Sequence, residues 1–153
     1  MTVADSLFID TNVLLTAIDP GRDGYTVARS LFRRSRLRTR SPYVSPQVLR
    51  EYLVVATRPM SANGLGMSMA DALKNLRALR DRTSFLVEDR RVAERFAALI
   101  ADVQCTGKQI HDANIVATML VHGIGRLVTD NGDDFRRFES HVSILSLSAT
   151  TDP

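Results

Sequence analysis

Ser6-Leu7-Phe8-Ile9-Asp10 is the stretch on which the fold turns: the end of an apolar run opening near Val3, closed by a carboxylate. The run is short enough to be a buried strand, and the pattern recurs along the chain. Past the turn at Asp19-Pro20-Gly21, a helix is expected from about Tyr25 to Arg36, with Val27, Leu31 and Phe32 on one face. Ser41-Pro42-Tyr43-Val44 reads as a strand, and Ser45-Pro46 as a helix start with serine capping and proline in the first turn. That helix carries Val48, Leu49, Tyr52, Leu53 and Val55 and stops near Arg58-Pro59. After a loop over 61–66, Ser68 opens a helix with Leu73, Leu76 and Leu79 inward. The remaining expectations are a strand at Phe85-Leu86-Val87, helices over Arg91 to Ala101 and Ile110 to Val121, a strand over Arg126 to Thr129, a short helix from Asp134 to Phe138, and a last strand from Val142 to Leu145.

Short apolar strands alternating with helices predict an α/β fold whose parallel sheet is covered on both faces. The chain has 153 residues, enough for a single domain over 1–147, with residues 148–153 expected to be a loose tail. Sites in such sheets form outside the carboxyl ends of the strands. Asp10 and Asp130 follow strand ends directly, and Glu51 and Asp112 sit in early helical turns that can point back to the same edge.

Each acid also has an ordinary structural explanation. Asp10 can cap a helix, Asp112 can favour a helix dipole, and Asp130, Asp133 and Asp134 can make a polar turn. Glu51 resists such an account, because Leu49, Tyr52 and Leu53 surround it and no cap is near. A carboxylate is costly to desolvate unless something positive holds it, and one shared divalent metal accounts for all of these positions together. Oxygen ligands without histidine or cysteine partners suit Mg²⁺ or Mn²⁺. His111, His122 and His141 lack zinc-ligand spacing and read as structural or surface residues. Such a metal site activates water and neutralises a phosphodiester under in-line attack. The glycines of Gly64-Leu65-Gly66 are too sparse for a phosphate-cradling loop.

Composition narrows the partners. With 44% hydrophobic and 24% charged residues the chain is that of an ordinary folded protein. Cys105 is its only cysteine, and no signal peptide or membrane-length apolar run is evident. A soluble, cytoplasmic protein with no membrane partner is therefore expected. Of the 20 basic residues 18 are arginine, lysine occurring only as Lys74 and Lys108. Arginine's planar fork pairs bidentately with phosphate. Arg33, Arg34, Arg36, Arg38 and Arg40 thus form a candidate nucleic-acid footprint, weighed evenly against a solvated, arginine-rich helix end.

Four segments resemble, in order, the four motifs of PIN-domain nucleases. They are Phe8-Ile9-Asp10-Thr11-Asn12-Val13-Leu14; Leu49-Arg50-Glu51-Tyr52; His111-Asp112-Ala113-Asn114-Ile115-Val116-Ala117-Thr118; and Val128-Thr129-Asp130-Asn131-Gly132-Asp133-Asp134-Phe135. The likeness is narrower still to VapC-type toxins of bacterial toxin-antitoxin pairs, and runs from about Leu7 to Leu147. It implies a three-layer α/β/α fold and a Mg²⁺- or Mn²⁺-dependent endoribonuclease acting as the toxin of such a pair. It further implies a homodimer and a VapB-like antitoxin whose tail enters the acidic groove. The family's metal ligands carry over to Asp10 and Asp112, and its further acidic residue to Glu51. Thr11, Asn12 and Thr129 are candidate supports. The fourth motif departs from the Thr-x-Asp form of many relatives: Asn131 stands in the place of the acid, as in their Thr-x-Asn form, flanked by Asp130 and Asp134, so that three residues compete to complete the site. Asn131 and Asp134 are preferred as catalytic, Asp130 as support. The alternatives are a housekeeping metal-dependent nuclease or phosphatase and a non-catalytic RNA-binding module. A phosphatase using an aspartyl phosphate would want aspartate where Asn12 stands.

Overall fold

A computed structural model describes residues 6–34 and 41–150. Five parallel strands, β1 (Ser6–Ile9), β2 (Ser41–Val44), β3 (Ser84–Phe85), β4 (Arg126–Val128) and β5 (Ser143–Leu145), form one sheet in the order β3-β2-β1-β4-β5. Leu7, Phe8 and Ile9 are at most 2% exposed, as a central parallel strand covered on both faces requires. Burying each such side chain stabilises the fold by about 1.5–3 kcal/mol.

The helices are α1 (Thr11–Ile18), α2 (Tyr25–Arg34), α3 (Pro46–Thr57), α4 (Met69–Arg80), α5 (Arg90–Asp102), α6 (Gln109–Val121) and the single turn α7 (Gly132–Phe135). α1 packs on α2 and α3, and α3 on α4; α5 packs on α6, and α6 on α7. The chain moves outward from β1 through β2 to β3, then returns to β4 and β5 on the other side of β1. Right-handed crossovers therefore put the first four helices and the last three on opposite faces, giving the α/β/α layering expected. The order reverses between β1 and β4, and a crevice opens at the carboxyl ends of those two strands.

The α1 helix has no counterpart among the helices expected from sequence. Thr11, Val13, Leu14, Leu15, Thr16 and Ala17 are all buried, so α1 has almost no polar face and shows no amphipathic period. The edge strand β3 is shorter than expected and ends at Phe85, although the Leu86 N–H still donates to the Val44 carbonyl at 2.9 Å. The loop holding Gly64 and Gly66 is a cap on α3. The Leu65, Gly66 and Met67 N–H groups donate to the carbonyls of Val55, Arg58 and Ala56, and a Cβ at Gly64 would stand 2.0 Å from the Arg58 oxygen. At the C-terminus, Leu147–Thr150, which runs from the end of the expected domain into the expected tail, is a 3-10 turn with Leu147 and Thr150 buried. Leu147 seats against Gly24, whose φ of +81° and absent Cβ make room for it. Within the arginine-rich segment, Arg33 is exposed; the backbone of Arg34 ends α2, and Arg36, Arg38 and Arg40 lie outside the described residues.

Candidate active site

At the carboxyl end of β1, Asp10 ends the strand and caps α1. Its Oδ1 accepts from the Thr11 N–H at 2.7 Å. Its Oδ2 accepts from the Thr129 hydroxyl at 2.7 Å, one residue past β4. The pairing of Ile9 with Val128 brings Asp10 level with Thr129, so that contact follows from sheet register. Thr129 is itself held: Asn12 Nδ2 donates to its Oγ1 at 3.2 Å and the Asn131 N–H at 3.0 Å. Asn12 Oδ1 in turn accepts from the Asp130 N–H at 3.2 Å, lacing motif four to motif one.

Glu51 enters from α3. Its Oε2 accepts from the Thr11 hydroxyl at 2.7 Å and its Oε1 from Gln47 Nε2 at 2.8 Å, one helical turn before it. Gln47, 5% exposed, also donates to the His111 carbonyl at 3.0 Å and accepts from Asn114 Nδ2 at 2.7 Å. This side-chain bridge joins α3 to α6 across the crevice. Sequence reasoning assigns no role to Gln47 or Asn114; the available signals are the four-residue spacing of Gln47 from Glu51 and the place of Asn114 two residues past Asp112.

Asp10, Glu51, Asp112, Asn131 and Asp134 line one cleft of about 860 Å³, together with Thr11, Asn12, Gln47 and His111. Asp130 does not line it. Burial raises the Asp130 pKa, opposed by a hydrogen bond from the Leu147 backbone and the charge of Arg22, so its carboxylate belongs to the other side of the strand end. Alternation past a strand end separates Asp130 from Asn131 in this way. His111 is exposed and His122 Nε2 lies 2.8 Å from the Val87 carbonyl, in keeping with surface and structural readings. Ser45 caps α3 without a side-chain hydrogen bond, and its buried hydroxyl has no partner.

The cleft is electrostatically unbalanced. Burial raises Asp10 to a pKa of about 6, against the hydrogen bonds from Thr129 and Thr11 and with the help of the charges on Glu51 and Asp134. Asp112 rises to about 7, through burial first and then repulsion from Asp10, Asp134 and Glu51, with Arg137 opposing. The two carboxylates interact, so their protons leave in two steps that belong to the pair. Among the described residues no ion pair involves any of the four acids. No three carboxylate, imidazole or thiol groups among the described residues close on one point. The donor set is open and all oxygen, which fits a hard divalent cation that keeps water ligands.

Comparison with known proteins agrees with this fold. The family model of the PIN domain matches residues 7–140. VapBC2 from Rickettsia felis, bound to a DNA fragment from its promoter, is similar at a TM-score of 0.70 and 16% identity, over 92% of this chain and 98% of that one. A toxin-antitoxin complex from Klebsiella pneumoniae is similar at 0.60 and 21%, over 92% and 97%. VapBC-1 from nontypeable Haemophilus influenzae is similar at 0.63 and 14%, over 94% and 98%. No curated protein matches the chain. With the match spanning all four motifs, the chain belongs to the PIN domain family, whose members are nucleases.

Proposed function

We propose that the chain is the toxin of a toxin-antitoxin pair, an endoribonuclease that uses Mg²⁺ or Mn²⁺ to hydrolyse RNA phosphodiester bonds. One observation carries the reading: Asp10 and Asp112 come to the same cleft with pKa values raised to about 6 and about 7, and no cationic side chain among the described residues pairs with either. Repelling carboxylates cost stability unless a cation relieves them, and Asp10 and Asp112 are the residues that would hold it. When bound there, the cation supplies a Lewis acid and lowers the pKa of a bound water.

The protein's own residues supply position and charge. Thr11 and Thr129 fix Asp10, while Thr11 and Gln47 fix Glu51 as an acceptor toward attacking water. Asn131 offers the cleft a neutral oxygen or an amide donor, and Asp134 adds negative charge from α7. Arg33, Arg34, Arg36, Arg38 and Arg40 supply phosphate contacts. Similarity to the VapBC complexes favours a VapB-like antitoxin as partner, and a homodimer is part of the same reading. Among the described residues no helix is long and apolar enough to cross a membrane.

Incubating the protein with labelled total RNA in Mg²⁺, Mn²⁺ or chelator tests the reading. Cation-dependent cuts at discrete positions are expected, abolished in Asp10→Asn. Cutting that survives chelation, or no cutting with either cation, overturns it.

A further inference from the structure

The cleft extends well beyond its carboxylates. Besides Asp10 and Asp112 it is lined by Val54, Val55, Phe96 and Ile110 and by the cations Arg58 and Lys108. Phe96, Ile110 and Val55 are half-buried, and Val54 is 54% exposed. Cation-assisted attack on a phosphodiester makes no use of an apolar wall. What lies beside a scissile phosphate in a nucleic acid is a ribose and a base, and an unstacked base seeks an apolar or aromatic surface.

The charges in this part of the cleft point the same way. Neither Arg58 nor Lys108 forms a hydrogen bond or ion pair through its side chain with a described residue, although four carboxylates line the same cleft. Arg58 caps the carboxyl end of α3 and Lys108 immediately precedes α6, so the two cations come from opposite helical layers. A chain that carries both phosphates and apolar faces matches this combination of features. An arginine-bearing peptide would suit the carboxylates but bring like charge to Arg58 and Lys108.

Resting on the nuclease reading above, we propose that the Phe96, Ile110, Val54 and Val55 wall seats one unstacked base of single-stranded RNA beside the scissile phosphodiester, with Arg58 and Lys108 taking flanking phosphates. A duplex is refused, because its bases present no free face to Phe96.

Fluorescence anisotropy with octa-adenylate, an eight-unit ribose-phosphate chain without bases, and an adenylate-uridylate duplex tests this, in Ca²⁺ and again in chelator. Wild type should bind octa-adenylate about 5- to 150-fold tighter than the base-free chain, the range of one aromatic-base stack. Phe96→Leu, which keeps apolar volume, should erase most of that preference. Arg58→Gln and Lys108→Gln should weaken both chains alike and flatten the salt slope by about 0.7 each. The ligand-side comparison in wild type stands even if a variant folds poorly. The proposal falls if the base-free chain binds as tightly as octa-adenylate, if octa-adenylate binds in neither condition, or if Phe96→Leu spares octa-adenylate yet loses an apolar peptide carrying one arginine. Cutting of labelled total RNA separates the two readings. Unaltered sites and rate in Phe96→Leu sink the base seat alone, whereas a base preference in a protein that cuts RNA with no cation sinks the nuclease reading alone.

Discussion

Asp112→Asn should make the cation-free protein more stable at pH 8 while abolishing cleavage. Asp112 makes no side-chain hydrogen bond with a described residue, so amidation removes a charge and breaks nothing. Carrying a carboxyl from 3.8 to about 7 corresponds to about 4 kcal/mol before screening. Asp112 is only half-buried, and water screens the repulsion, which reduces the expected gain to about 1–2 kcal/mol. Because the folded-state pKa lies above the unfolded one, the native state holds its proton longer. Wild-type stability is therefore complete below about pH 4 and is lost as pH rises through about 7. Urea titration in chelator at pH 4, 6 and 8 should show the variant and wild type converging at the lowest pH and separating upward. Mn²⁺ at pH 8 should reverse the order, since a ligand binding only the native state stabilises wild type by RT ln(1 + [L]/Kd). A variant less stable than wild type at pH 8 in chelator, or a difference flat with pH, refutes the repulsion argument.

Asp10→Asn should also abolish cleavage but lose stability, because one amide cannot accept from both Thr11 N–H and Thr129 Oγ1; the cost is about 1–3 kcal/mol by urea titration. Asp134→Ala should cost more activity than Asp130→Ala, with Asn131→Asp tolerated or tighter in Mn²⁺ titration; an inactive Asp130→Ala beside a working Asp134→Ala would reverse the assignment. Replacing three of Arg33, Arg34, Arg36, Arg38 and Arg40 with Gln should weaken RNA binding and lower its salt slope by about 0.7 for each phosphate no longer neutralised, and an unchanged slope excludes this face.

Two of the carboxylates are legible in the sequence because burial and charge conflict at a single position: Asp10 after Ile9, and Glu51 among Leu49, Tyr52 and Leu53. The α1 helix is illegible for a related reason. Periodicity reports a polar face, and α1, packed against α2 and α3, has almost none. Gln47 escapes notice because a glutamine in a first helical turn is unremarkable until the fold brings the first turns of α3 and α6 together and places it between Glu51, His111 and Asn114. The terminal turn at Leu147–Thr150 depends on the space left by Gly24, far away in sequence. No local pattern encodes such a contact.

The hydrogen bonds divide the four acids into two kinds. Both oxygens of Asp10 and both of Glu51 accept donors supplied by Thr11, Thr129 and Gln47, so these carboxylates are placed by the same elements that close the sheet and pack α3. Asp112 and Asp134 accept nothing from the described residues, and they repel each other as well as Asp10. One side of the cleft is thus preorganised and the other is held apart by charge. A cation held by Asp10 and Asp112 would meet one carboxylate already aimed and one set off by repulsion that its charge would cancel, so binding would release protons. Well below pH 6 each cation bound should displace close to two protons from the Asp10 and Asp112 pair, falling to none above about pH 8. Calorimetric Mn²⁺ titration in buffers of differing ionisation enthalpy counts those protons, and a count independent of pH would mean that the two carboxylates do not share the ion.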